Sequence, residues 1–371
     1  MSELVVLSHL RWVFVWQRPQ HIVSRLAQGR RTWFVEEPWP TTDVGEPTLR
    51  WEQHGDVTRV WLEVQSGEDN VGFDDPLAAS YPEQLVDLLG RSPDRTAWLY
   101  TPMALPMAAA LCPSLVVYDV MDDLASFKGA SRQLVARQHQ ALRDADVVFT
   151  GGRSLHRGVA EHRPDAHMFP SGVEPEHFHR PAGRARHHHP SERPVAGYVG
   201  VIDERLDLGL LAELAGLLPD WEIRMVGPRV KIDPSTLPQA PNITYVGPRP
   251  YAELADVMAG FEVALMPFAL NEATRSISPT KTLEYLAAGL PVVSTPVPDV
   301  VADYAGLVDL QLDGAGFADA CRRVQRHCPE ERAHKARPVL HWHHWDSIAS
   351  RMARLMAGAA STTSEPAWET A

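Results

Sequence analysis

Short apolar runs recur along this chain, many ending in glycine or proline, with helix-patterned stretches between them. That alternation constrains the fold more than any other feature, because strands alternating with helices pack as a parallel sheet covered on both faces. Leu4-Val5-Val6-Leu7-Ser8 opens the pattern, and Ile22, Val23 and Leu26 follow at helical spacing. Further strand-like runs stand at 32–35, 57–62, 97–100, 115–118 and 147–150, with helical patterns at 82–89 and 131–144. From 180 to 194 the sequence turns to Pro, Arg, His and Gly without apolar periodicity, which reads as a linker.

The pattern then restarts. Val195-Ala196-Gly197-Tyr198-Val199-Gly200, Glu222 to Gly227, Ile243 to Gly247 and Val263 to Pro267 read as strands running into tight turns, with helices expected over 206–218 and 251–259. Pro279 and Gly289 bracket a further helix with proline at its start and glycine at its end, and 291–295 is the next strand. At 371 residues the chain exceeds the size at which one core stops growing, so two domains are expected. Their expected bounds are 1–180 and 194–340, joined by a linker at 181–193, with a last helix at 341–358 and a flexible tail at 359–371.

A net charge of −12 argues against nucleic acid as the main partner, because phosphates are held by Lys and Arg. No apolar run approaches the roughly 20 residues of a membrane span. Residues 1–8 lack the basic start and apolar stretch of a signal peptide, so the expected location is cytoplasmic. Cys112, Cys321 and Cys328 form no closely spaced metal pair and are read as reduced thiols. The histidines at 187–189, 341, 343 and 344 invite a metal reading, but a solvated linker and a helix start explain them better; no metal site is expected.

Ligands of open α/β sheets bind beyond the carboxyl ends of the strands. The strongest constellation there is Ser276-Ile277-Ser278-Pro279-Thr280-Lys281-Thr282-Leu283-Glu284. A helix start attracts anions, and Lys281 in its first turn stands where an acid is the usual choice, which points to bound phosphate. Glu284 shares the face of Lys281 and suits a ribose diol. The alternative for the two is a surface ion pair at i,i+3.

Ser278 to Thr295, reading SPTKTLEYLAAGLPVVST, resembles the donor-site helix and following strand of retaining nucleotide-sugar glycosyltransferases of the two-Rossmann-domain (GT-B) type, family 4 or group 1-like. Asp144-Ala145-Asp146-Val147-Val148 with Ser154, Phe169-Pro170-Ser171-Gly172-Val173-Glu174 with Phe178, and Gly197 to Arg205 resemble further segments of that group, through to a closing helix at Trp345. The resemblance is much weaker before Asp144. It implies an α/β fold of two Rossmann-like domains facing across a cleft, with the C-terminal helix crossing back to the first domain. It further implies transfer of a hexose from a nucleoside-diphosphate sugar to a hydroxyl of a sugar, lipid or small-molecule acceptor, with retention, without metal or other cofactor, as in polysaccharide biosynthesis.

Carried over by position, Arg205 and Lys281 are expected to stabilise the departing diphosphate. Gly200, Gly227, Lys231, Asn271, Ser278, Thr280 and Glu284 are expected around the donor. Many members of the group carry a second glutamate eight positions before the one matched by Glu284; Ser276 stands there, and Glu272 or Asn271 is expected to substitute. The group's arginine after the first donor-domain glycine is Val201. Trp16, Arg18 and His21 lie in the loop that borders the acceptor in this group, although Trp12 and Trp16 at i,i+4 also suit simple packing. Asp119 and Asp122 end a strand near the position of the group's sugar-side His or Asp, or cap the next helix. The alternatives are a nucleotide-sugar 2-epimerase of the same architecture and a non-catalytic or dinucleotide-binding Rossmann protein; the latter lacks its Gly-x-Gly-x-x-Gly, since His9-Leu10-Arg11 follows the first strand.

Overall fold

A computed structural model describes residues 2–68, 70–124, 131–179, 193–278, 280–324 and 329–363. The expected linker, apart from Arg193, lies outside the described residues, as do His187 to His189, Pro279, Cys328 and the end of the expected tail. The chain forms two units, Met1–Phe169 with Asp346–Ala371, and Pro170–Trp345.

The first unit is built on β1 (Glu3–Ser8), β2 (Arg31–Glu36), β3 (Trp39–Thr41), β4 (Thr48–His54), β5 (Val57–Gln65), β6 (Arg95–Leu99), β7 (Leu115–Val120), β8 (Val147–Thr150) and β9 (His167–Met168). Their order is β3-β5-β2-β1-β6-β7-β8-β9, with β4 added beside β5. Every pairing is parallel except β4 with β5. β1 is buried at all six positions, as a central parallel strand covered on both faces must be. Helix Arg132–Asp144 starts where Ser131 accepts a hydrogen bond from the Leu134 amide, the local cap the sequence offers.

The second unit carries β10 (Val195–Val199), β11 (Glu222–Val226), β12 (Ile243–Gly247), β13 (Val263–Met266), β14 (Val292–Ser294) and β15 (Asp309–Leu310), all parallel, in the order β12-β11-β10-β13-β14-β15. The order reverses between β10 and β13, which is the Rossmann arrangement and its topological switch point. Each unit has its own hydrophobic core. Val173 and Phe178 belong to the second core, which is why the division falls at Phe169/Pro170, ahead of the 181–193 stretch.

The chain then crosses back: helix Trp345–Thr363 follows the second unit in sequence, and from Asp346 onward it belongs to the first. Its bounds differ from the expected 341–358. Residues up to Trp342 continue a preceding helix, Pro329–Trp342, and His344 pairs with Val173 in a parallel bridge that separates the two. The last helix runs on through 359–363, where Ala359 and Ala360 favour it, so the expected tail begins as helix. The expected helix at 251–259 is a 3₁₀ turn, Tyr251–Glu253, leading into Leu254–Ala259. No described helix is long and apolar enough to cross a membrane.

Candidate active site

The switch point of the second unit is flanked by the loops after β10 and β13. They are tied together: the Ala269 amide donates to the Arg205 carbonyl at 2.8 Å, the Asp207 amide to the Pro267 carbonyl at 2.8 Å, and Leu206 bridges antiparallel to Phe268. Beside them the ends of β10 and β11 are bare backbone. The Gly200 amide donates to the Val226 carbonyl at 2.9 Å, and Gly227 adopts φ 147°, where a Cβ would lie 1.8 Å from the Gly200 carbonyl oxygen. Only glycine fits there, which leaves main-chain groups rather than side chains facing outward.

Helix Thr280–Ala287 follows the second of these loops, with Thr282 to Ala287 buried. Tyr285 pins it: its hydroxyl accepts from the Val199 amide at 2.7 Å and donates to the Val199 carbonyl at 3.3 Å. Burial pushes the Tyr285 phenol well above its ordinary pKa, so it keeps the proton that the second bond needs. The helix start is tied to the chain just past the unit division. Thr280 Oγ1 donates to Ser171 Oγ at 3.1 Å, Ser171 Oγ donates to the Ser278 carbonyl at 3.0 Å, and His343 Nδ1 lies 2.8 Å from the Ser171 carbonyl. Lys281 Nζ donates to Glu284 Oε2 at 2.6 Å. The i,i+3 pair therefore forms, but not on the surface: Glu284 is 2% exposed and Lys281 20%.

The other expected residues of this unit are held separately. Arg205 is clasped by Asp203, with Nε 3.0 Å from each carboxylate oxygen and a terminal nitrogen 2.7 Å from Oδ2. Asn271 caps the short helix Glu272–Arg275 through a reciprocal pair of bonds with Thr274. Glu272 is 76% exposed and pairs with Arg275 at 3.3 Å. Lys231 is exposed on a left-handed residue with φ 51°. The structure thus brings together Gly200 with Gly227, Lys281 with Glu284, and Ser278 with Thr280, and leaves Lys231 and Glu272 each in its own surroundings.

In the first unit the expected residues close on one another. Arg18 Nε and a terminal nitrogen donate to the two Asp119 oxygens at 3.0 and 2.8 Å, and the other terminal nitrogen donates to the Phe169 carbonyl at 2.7 Å. Both side chains are buried. Burial alone disfavours the Arg18 charge, yet the Asp119 carboxylate, with Tyr100 and Asp122 adding to it, leaves the Arg18 pKa above its ordinary value. Burial pushes Tyr100 and Tyr118 upward as well. Trp16 Nε1 lies 3.2 Å from Nδ1 of His21, which is buried, and Trp12 packs edge-on against Trp16 at 5.9 Å. Trp16 and Asp122 remain half-buried.

Sequence reasoning did not single out Asp203, Ser171 or Tyr285 as parts of the site. The first stands two residues before Arg205, so its pairing was readable; the other two act across the fold. Among the described residues no group of three or more His, Cys, Asp or Glu is placed to hold a metal ion. His343 is taken by Ser171, and His344 Nε2 lies 3.2 Å from Glu176.

Residues 193–327 match the family described as Glycosyl transferases group 1. The matched stretch lies wholly within the second unit. Over 253 residues the chain is 27% identical to the putative teichuronic acid biosynthesis glycosyltransferase TuaH of Bacillus subtilis (strain 168), a match covering 62% of this chain and 64% of that protein. The match thus spans less than two thirds of the relative's length. The architecture of the whole chain is found in solved structures. The α,α-trehalose 6-phosphate synthase of Burkholderia multivorans superposes with a TM-score of 0.66 at 17% identity, covering 99% of both chains. Anabaena Alr3699/HepE, solved in complex with UDP and glucose, gives 0.68 at 13% identity over 96% of this chain and 100% of that one. The fold is therefore that of the two-Rossmann-domain GT-B glycosyltransferases, as the sequence resemblance implies.

Proposed function

We propose that this chain is a glycosyltransferase that moves a hexose from a nucleoside-diphosphate sugar to a hydroxyl of a sugar, lipid or small-molecule acceptor, with retention and without a metal. The observation that carries the reading is the Lys281–Glu284 pair at the start of a helix pinned beside bare glycine backbone, at the switch point of a Rossmann sheet. The buried carboxylate and the partly exposed ammonium have opposite tasks. Lys281 and the helix amides meet the diphosphate, while Glu284 accepts from the ribose hydroxyls.

Gly200 and Gly227 let phosphate oxygens approach the main chain. Arg205 adds a second cation once it turns from Asp203. Such preorganised charge at a developing anion is commonly worth about 2.7 to 4 kcal/mol per donor. The leaving phosphate takes the acceptor's proton, so no protein base is assigned. Glu272 supplies the sugar-facing carboxylate that Ser276 lacks.

Because Alr3699/HepE was solved in complex with UDP and glucose, uridine nucleotides are the first donors to try. Thermal unfolding with UDP, GDP, dTDP and NAD in separate samples tests the reading. A true ligand at a hundred times its Kd adds about 2.7 kcal/mol, a shift of several degrees. A shift with one nucleoside diphosphate is expected; a shift with NAD alone, or with none of the four, overturns the donor site.

A further inference from the structure

The first unit carries an open cavity with a basic lining. The end of β9, helix Arg153–Ala160 and the exposed face of helix Trp345–Thr363 enclose an open cavity of about 510 Å³, lined by His156, His167, Met168, Phe169, Arg351 and Arg354 together with two apolar residues. That volume is in the range of about 300 to 1,000 Å³ usual for small-ligand pockets. Among the described residues four basic side chains and no carboxylate line it, in a chain whose net charge is −12.

Three of the basic groups are set in place. Thr150 Oγ1 lies 3.1 Å from Nδ1 of His156, and the Phe149 ring lies 6.2 Å from that of His167. The Arg351 guanidinium sits 5.0 Å from the centre of the Phe169 ring. Phe169 is itself fixed, its amide donating to the Thr150 carbonyl at 2.9 Å and its carbonyl accepting from Arg18. Arg354, one turn beyond Arg351 on the same helix face, makes no hydrogen bond or ion pair among the described residues. Like charges at this spacing repel. The nearest acid in sequence, Asp165, is engaged by Arg163 at 2.6 Å. A bidentate donor, a second arginine and two imidazoles around one cavity match the oxygens of a phosphate ester.

We propose that this cavity binds a phosphate monoester or diester group, separately from the nucleotide site of the second unit and independently of the glycosyltransferase reading. The group comes either from a soluble phosphorylated ligand or from a lipid headgroup. The test is calorimetric titration with glycerol 3-phosphate, alongside sedimentation with vesicles of phosphatidylcholine alone or mixed with phosphatidylglycerol. The unaltered chain binds, and Arg351→Gln/Arg354→Gln weakens binding by about tenfold or more. Arg354→Glu removes no hydrogen bond or ion pair among the described residues and loses binding at an unchanged Tm. UDP binding stays the same in both variants, which separates this cavity from the donor site. Loss of binding confined to glycerol 3-phosphate assigns a soluble ligand, and loss extending to the phosphatidylglycerol vesicles assigns a headgroup. Absence of phosphate binding in the unaltered chain, or equal binding in the variants, overturns the proposal.

Discussion

Each unit sets an opposite-charge pair at the carboxyl side of its parallel sheet, and the two pairs differ in what they leave open. Arg18 and Asp119 satisfy each other completely, at 4% and 0% exposure, with the remaining guanidinium nitrogen spent on the Phe169 carbonyl. Lys281 and Glu284 share one contact, and the ammonium keeps a path to solvent. The contrast extends beyond these pairs. The first unit also buries Glu3 with Arg95 and Glu36 with Arg59, whereas Arg205–Asp203 and Arg224–Glu222 in the second are partly exposed. A charge whose every hydrogen bond is already made positions the chain; a charge with donors to spare is available to a ligand. By that criterion Arg18 and Asp119 build the first unit's frame, and Lys281 faces chemistry.

The largest effect expected from this contrast is on folding. Arg18→Ala leaves Asp119 buried without its counter-charge, a loss of about 3 to 5 kcal/mol for a broken buried pair. Urea unfolding reads it directly, and UDP binding to whatever fraction remains folded is unchanged. A cost under about 1 kcal/mol, within the range of exposed pairs, would mean that water reaches Asp119.

Glu284→Gln moves the effect from folding to binding. The amide keeps the volume and can still accept from Lys281, so the helix stays, but the ribose loses a charge-assisted bond of about 1.5 to 3 kcal/mol. Affinity for the nucleoside diphosphate falls at least about tenfold by titration calorimetry. Unaltered affinity would reduce Lys281–Glu284 to a structural pair like Arg18–Asp119, and the contrast between the units would fail.

The tyrosines give the comparison a pH axis. Tyr81, Tyr100 and Tyr118 in the first unit, and Tyr198, Tyr245 and Tyr285 in the second, are all pushed upward by burial. A folded pKa above the unfolded one gives stability that is intact below the unfolded value, about 10, and lost as pH rises beyond it, because only the unfolded chain releases the proton. Each such tyrosine costs about 1.4 kcal/mol per pH unit in that window. With three tyrosines on each side, the buried Cys321 thiol of the second unit, also pushed up to about 12, makes that unit's loss the steeper by about one proton. Unfolding between pH 9 and 11, followed by hydrogen exchange at amides of β1 and of β10, resolves the two slopes; equal slopes would show that the units unfold together.

How much of this was legible follows from what each feature depends on. Strands buried on both faces announce themselves as apolar runs, so β1, β2, β6, β7, β8, β10, β13 and β14 could be read, and the half-buried β5, β11 and β12 were readable from their β-branched and aromatic residues. β4 could not: Trp51, Glu52 and Gln53 face solvent, and the strand exists by pairing with β5 at the sheet edge. β9 and β15, with two residues each, carry no period. The helix at Thr280 was legible from Pro279 and Gly289 at its ends, and the Lys281–Glu284 pair on it from its i,i+3 spacing. The fate of Arg18 was not, because Asp119 is 101 positions away in sequence, and Ser171 reaches the Ser278 carbonyl across 107. Charges at strand ends are visible in a sequence; which of them the fold consumes is decided by tertiary pairing.

Glu272 is where the smallest structural effect meets a sharp functional question. Its side chain is 76% exposed, its partner Arg275 is 71% exposed, and an i,i+3 pair in water contributes little. Glu272→Ala should therefore leave unfolding within about 0.5 kcal/mol of the parent. UDP affinity should also hold, since a carboxylate directed at the sugar makes no contact with the nucleotide. Sugar transfer should fall, because Ser276 leaves no carboxylate eight positions before Glu284 and the loop before it carries the nearest acid. A Glu272→Ala chain with full transfer would remove that role and leave the open side of the second unit to Lys281, Arg205 and the main chain alone.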